Sequence, residues 1–154
     1  MKSRRILMAK APSEFVRNGF WPNIGRIRFR NMLRFADREW QAILLLGRYC
    51  GLDLSECLQL TNSHFSDNLR VLDLPRGGRR YKMQVGATLA GALRLLAQPE
   101  APNAPMFKRC RSIRRSELSK QFKQLLFRSW GDASAQRLGF ASIQFDFGQL
   151  PCVA

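Results

Sequence analysis

The residues in this chain that are best suited to chemistry are arginines and lysines, because histidine, tyrosine and cysteine are scarce. There are 26 Lys and Arg residues against 11 Asp and Glu, and the single histidine is His64. The two tyrosines are Tyr49 and Tyr81, and the four cysteines form no C-x-x-C pair. This set offers no zinc site built from adjacent pairs, and we expect no metal and no cofactor. Fixed positive charges instead favour a polyanionic ligand, most often nucleic acid.

The positive charge is concentrated in three segments. Residues 1–34 contain nine Lys or Arg against one acid, residues 70–82 contain five against one, and residues 108–128 contain eight against one. Residues 35–69, which lie between the first two, are acidic and apolar. At a net charge of +15, this asymmetry favours phosphate contact over a surface that is merely solvated.

The bulk composition fits one domain with its own core. The chain has 154 residues, of which 45% are hydrophobic. The longest apolar run, 42–46, is cut by Gly47 and Arg48 and is far too short to span a membrane. The apolar stretch near the N-terminus, 6–9, is too short for a secretory signal. We therefore expect a bacterial-type cytosolic or nucleoid-associated protein with reduced thiols, no membrane partner and no small-molecule substrate.

Two helices are predicted in the acidic centre. Apolar residues at helical spacing over 38–50 follow a capping Asp37 and precede Gly51, which predicts a core helix. A second helix over 54–60 opens with Asp53 and Glu56 in the pattern of a capping box. Asp53 therefore has a structural role available to it.

The elements on either side follow from simpler patterns. Strands over 69–74 and 81–85 flank a turn that contains Gly77 and Gly78, which predicts an antiparallel hairpin. We expect Thr88 to cap an Ala/Leu helix, residues 99–105 to form a Pro-rich linker, and 116–130 to form an amphipathic helix. The alternation over 26–30 indicates a short strand or an extended arm, and 133–147 one further helix.

The stretch 36–60, ADREWQAILLLGRYCGLDLSECLQL, resembles the start of a tyrosine recombinase (phage integrase family) catalytic domain. That family typically reads D-R, an apolar helix, then T-G-L-R-x-S-E-L-x-x-L. Here Asp37 and Arg38 are followed by the helix, by Gly51, and by Asp53 where the family has its phosphate-binding arginine. A carboxylate cannot neutralise a phosphate. The resemblance implies the fold and the ligand class, and it argues against the chemistry.

The hairpin and the stretch 134–142 also match the family's pattern with several of its catalytic residues replaced. The family's hairpin lysine, a general acid, falls on Arg76, and arginine is a poor proton donor. The family string H-x-L-R-H-x-F-A-T matches 134–142, where Arg137 is kept and Ser134 and Leu138 replace the histidines. The match ends before the family's nucleophilic tyrosine. The degenerate catalytic positions are thus Asp53, Arg76, Ser134, Arg137 and Leu138, and we expect neither DNA cleavage nor ligation.

The expected architecture is α+β and mainly helical, with recombinase-catalytic-domain-like helices and a small antiparallel hairpin or sheet. Residues 1–34 would form a basic N-terminal arm, and 35–154 a C-terminally truncated catalytic-domain fold. The expected partner is DNA, bound non-specifically and salt-sensitively with a dissociation constant of about micromolar or weaker. The predicted DNA-binding residues are Arg76, Arg79, Arg80, Lys82, Arg109, Arg111, Arg114, Arg115, Lys120, Lys123 and Arg137.

Two other functions fit the same composition. A small basic RNA-binding or ribosome-associated protein would carry a similar charge, although no RNP-like or KH-like motif is present. An interaction module that pairs with an intact recombinase is the third reading. In the DNA-binding reading we expect a regulator or a remnant of a mobile element, and in none of the three readings do we expect an enzyme.

Overall fold

The computed structural model describes residues 24–130, 139–140 and 143, and within them helix outweighs strand. The elements in chain order are α1 (Arg26–Phe35), α2 (Arg38–Cys50), α3 (Leu54–Leu58), a 3₁₀ turn (Asn62–His64), β1 (Phe65–Ser66), β2 (Val71–Arg76), β3 (Arg79–Gln84), α4 (Ala87–Arg94), α5 (Lys108–Arg111) and α6 (Arg115–Trp130). The predicted α+β class, mainly helical with a small antiparallel sheet, is confirmed. No helix among these is long and apolar enough to cross a membrane.

Helix α2 is the centre of the core, as its sequence predicts. The backbone N–H of Trp40 donates to the Asp37 side chain at 2.8 Å, which caps the first turn. Gly51 ends the helix in the left-handed conformation, with φ 71°. Every residue from 42 to 48 is buried, so this helix has no wide solvent face. The predicted helix boundaries are confirmed.

The sheet has the strand order β1-β2-β3, and both pairings are antiparallel. In the β2–β3 register Val71 lies opposite Gln84 and Arg76 opposite Arg79, so only two residues make the turn. These are Gly77 and Gly78, with φ +57° and +79°, the signature of a type I′ hairpin turn. The hairpin is confirmed, and its turn is tighter than the sequence pattern suggested.

Alanine at two glycines should shift stability in opposite directions. A side chain at Gly78 would meet open space, so Gly78→Ala is penalised only by its positive φ, by about 1–2 kcal/mol. Gly91 lies inside α4, also with open space around it, and Gly91→Ala should stabilise by about 0.5–1 kcal/mol. Urea unfolding of both variants checks this: no loss of stability in Gly78→Ala would contradict the described turn, and a loss in Gly91→Ala would contradict the open helical position.

The segment expected to be a strand or an arm is helical. Over α1, Phe29 and Met32 are buried three residues apart, which is a helical rather than an alternating pattern. The Arg48 side chain, only 2% exposed, donates to the Ile24 carbonyl at 2.8 Å, and its guanidinium carbon lies 4.5 Å from the centre of the Phe29 ring. The strand expectation for 26–30 was therefore wrong. Residues 24–34 belong to the packed fold, while the rest of the predicted arm lies outside the described residues.

Of the helices predicted after the hairpin, α6 has the expected buried face, whereas α4 does not begin with the expected cap. The predicted amphipathic helix is α6, and its apolar side chains Leu118, Phe122, Leu125 and Leu126 are buried as expected. Thr88, however, is not a cap, because α4 already begins at Ala87, after Gly86 in an extended conformation.

Two residues after α6 are described in contact with the core. The ring centre of Phe140 lies 5.7 Å from that of Phe122, and Ile143 is fully buried. Most of the helix expected over 133–147 lies outside the described residues.

Candidate nucleic-acid interface

Arg76 fixes the hairpin to the α2–α3 junction through a two-pronged ion pair. Its Nε donates to Oε2 of Glu56 and its Nη2 to Oε1, both at 2.7 Å. The guanidinium also lies 4.1 Å from the centre of the Tyr81 ring. The two charged side chains are only 17% and 24% exposed. Arg76 is thus committed to a protein contact at the position where the resemblance placed a proton donor.

The surroundings of Arg76 favour the protonated form of its side chain. Burial alone would lower the pKa, but the hydrogen bond and the negative charge of Glu56 outweigh burial and raise it above the ordinary value. A guanidinium of this kind cannot protonate a leaving oxygen near neutral pH. The positive charge of Arg76 can still attract an anion, but its side chain cannot transfer a proton.

Asp53 is a helix cap, as its sequence context predicts. Its Oδ1 accepts the Glu56 backbone N–H at 2.8 Å, and Oε1 of Glu56 accepts the Asp53 N–H at 3.0 Å. Both halves of the capping box are present. The carboxylate of Asp53 therefore has a defined structural role.

A second group of predicted cations ties α5 and α6 to the acidic start of α2 and to α3. The Arg109 guanidinium pairs with the Asp37 carboxylate, and the backbone N–H of Arg109 donates to Glu39 at 3.0 Å. Arg115 donates from Nη2 to the Ser55 hydroxyl at 2.6 Å. Arg76 and Arg115 thus reach neighbouring residues of α3. The structure brings two of the three basic segments together around that short helix.

Most of the remaining predicted contacts lie on the surface. Arg80 pairs with Asp73 at 2.9 Å, with side chains 65% and 34% exposed, and such a pair contributes little and opens readily. Arg79, Lys82, Arg111, Arg114 and Lys120 are exposed, and Lys123 is half-buried on α6. Ser134, Arg137 and Leu138 lie outside the described residues.

The arginines of α1 lie in the predicted basic segment 1–34 but were not named as individual DNA-binding residues. Arg26, Arg30 and Arg34 are exposed on this helix, and none was among the predicted contacts. The signal was their spacing of four residues, which places three cations on one helical face. A five-residue alternation within the same stretch obscured it.

The described cysteines Cys50, Cys57 and Cys110 are buried and form no disulfide bond, and their burial confirms the expectation of small apolar residues for the first two. Burial, followed by the nearby Cys50 and Asp53, raises the pKa of Cys57 well above its ordinary value. Burial and a hydrogen bond with Glu39 raise the pKa of Cys110 to about 12.

Cys57 and Cys110 should resist alkylation in the folded protein at pH 8, because the thiolate is the reactive form. Peptide mapping after iodoacetamide, with and without urea, measures this site by site. The raised folded-state pKa values also give stability that is complete below the unfolded pKa of about 8.5 and is lost as pH rises toward 12. Rapid labelling of either site in the native protein at pH 8 would contradict the described burial.

The described residues contain no group of three or more His, Cys, Asp or Glu side chains that could hold a metal ion. No protein-family model matches the chain, and neither does any curated protein or solved structure.

Proposed function

We propose that this protein binds DNA through its basic surface, on a recombinase-like scaffold, and neither cuts nor joins the strands. The observation that supports this most directly is a set of unneutralised surface cations. Among the described residues these exposed side chains have no carboxylate partner: Arg79, Lys82, Arg111, Arg114 and Lys120. The whole chain carries +15. In this proposal the protein acts in the cytosol or at the nucleoid as a regulator of recombination or as a remnant of a mobile element.

Binding through these side chains would be driven mainly by release of counterions from the phosphate backbone. Each neutralised phosphate adds about −0.9 to the slope of log affinity against log salt on duplex DNA. Such contacts read no sequence by themselves. Weak, general and strongly salt-dependent affinity is therefore the expected behaviour.

The proposed lack of catalysis follows from the side chains at the matched positions. Asp53 would repel the phosphate that the family's arginine binds, and Arg76 is held by Glu56 and keeps its proton. Loss of one transition-state donor alone typically costs about a hundred- to a thousandfold in rate. A covalent protein–DNA adduct on a nicked suicide duplex would overturn this part of the proposal.

The binding experiment is a competition among four labelled 24-mers of one sequence. These are duplex DNA, duplex RNA, single-stranded DNA and single-stranded RNA. We expect duplex DNA to bind at low salt and to resist displacement by an equal concentration of RNA. Preferential binding of RNA would instead support the RNA-binding reading. No binding of any of the four at 20 mM salt would contradict both.

A further inference from the structure

Helix α1 presents a straight row of three arginines to solvent. Arg26, Arg30 and Arg34 follow one another at intervals of four residues, which places them about 6 Å apart along the helix axis. All three are exposed, whereas Phe29 and Met32 on the opposite side are buried. We call these three arginines the α1 ridge. Its outward face is set by the packing of the helix on the core.

Within the part of the chain that the structure describes, no carboxylate neutralises the ridge. Among the described residues, none of its arginines forms a salt bridge or a side-chain hydrogen bond with a carboxylate. The first turn of α1 contains no acid, and its N-cap, Gly25, provides no side-chain hydrogen bond. Like charges four residues apart repel, and Arg26 lies at the end of the helix where the dipole disfavours a cation. The helix therefore carries an electrostatic conflict that an anionic ligand would relieve.

We infer that the α1 ridge binds the phosphodiester backbone of duplex DNA, an inference that rests on the proposed function and adds a surface to it. A guanidinium fork matches phosphate oxygens in charge and in geometry. Three such forks spread over about 12 Å match a row of successive phosphates. A duplex holds those phosphates in place, so the contact requires little ordering of the ligand, unlike contact with a flexible single strand.

The test compares two full-length double variants that each lower the net charge by two. The ridge variant is Arg30→Gln/Arg34→Gln, and the matched control is Arg38→Gln/Arg94→Gln, whose residues are also exposed and lie outside the three basic segments. The affinity for a 24-base-pair DNA is measured from 50 to 300 mM salt. Removal of two phosphate contacts should reduce the magnitude of the salt slope by about 1.8, and the affinity at 0.1 M salt by about 60-fold. The control should lose less than about threefold.

Two further measurements separate a binding role from a structural one. Thermal unfolding of the ridge variant should match wild type within about 2 °C, since the substitutions remove a repulsive pair. Arg30→Lys/Arg34→Lys, which keeps both charges, should retain the wild-type salt slope. A larger drop in melting temperature than in the control would contradict the charge conflict and with it the inference.

The remaining outcomes separate failure of the α1 ridge from failure of the proposed DNA binding. Equal losses in the ridge and control variants, or an unchanged slope in the ridge variant, would overturn the ridge while leaving DNA binding intact. Weaker binding to anionic phospholipid vesicles or to duplex RNA, with DNA binding unchanged, would assign the ridge to another partner and also overturn it. Failure of the wild type to bind duplex DNA would remove the proposed function itself.

Discussion

Glu56→Ala is expected to lower the free energy of unfolding by about 2–3 kcal/mol. The Glu56 carboxylate accepts both prongs of Arg76 at 2.7 Å and the Asp53 N–H at 3.0 Å. Its removal leaves a half-buried guanidinium without its partner and breaks one half of a capping box. The hairpin would also lose its main polar attachment to the α2–α3 junction.

Chemical denaturation of Glu56→Ala, Arg76→Ala and the double variant measures the pair itself. We expect a coupling energy of about 1.5–3 kcal/mol, because the pair is charged, two-pronged and largely shielded from water. Asp53→Ala, which removes only the other half of the cap, should cost about 1 kcal/mol and serves as the comparison. A coupling energy below about 0.5 kcal/mol would mean that the pair behaves as an ordinary surface contact.

Trp40→Ala is expected to be the most damaging single change, at about 3–5 kcal/mol. Trp40 is 3% exposed, its ring centre lies 6.2 Å from that of Phe122, and its indole Nε1 donates to the Gln121 side chain at 2.8 Å. It therefore joins α2 to α6 by apolar and polar contacts together. Its loss opens a cavity between these helices and leaves the Gln121 acceptor unpaired.

Trp40→Phe separates the two contributions. A phenyl ring keeps much of the contact with Phe122 but cannot donate a hydrogen bond, so a loss of about 1–2 kcal/mol is expected. Urea midpoints of both variants, followed by circular dichroism, give the comparison. If both substitutions lower the free energy of unfolding equally, the hydrogen bond of Trp40 rather than its burial accounts for the stabilisation.

The helices and the hairpin could be predicted because their signals are local. Asp37 and Gly51 bound α2 through capping rules that act within one turn, and Gly77-Gly78 fits a turn that needs two positive φ angles. The capping role of Asp53 followed from its distance to Glu56 for the same reason. Capping and turn rules gave correct predictions where the interacting residues lie within one turn of each other in the chain.

The errors and omissions arose where distant contacts decide the outcome. The alternation in α1 suits a strand locally, but burial of Phe29 and Met32 and the contact from Arg48 select the helix. The Glu56–Arg76 pair joins residues 20 positions apart, which no periodicity marks. The commitment of Arg76 and Arg109 to protein partners could therefore not be predicted from the sequence.

The central claim, that this chain binds DNA through surface cations, is tested most directly by the salt dependence of its affinity for a 24-base-pair duplex. One phosphate neutralised by each of the five exposed cations that have no carboxylate partner among the described residues, Arg79, Lys82, Arg111, Arg114 and Lys120, gives a slope of about −4.5 in log affinity against log salt. Additional contacts from the α1 ridge would steepen it toward about −7. A slope shallower than about −1, or no binding at 20 mM salt, would contradict the account.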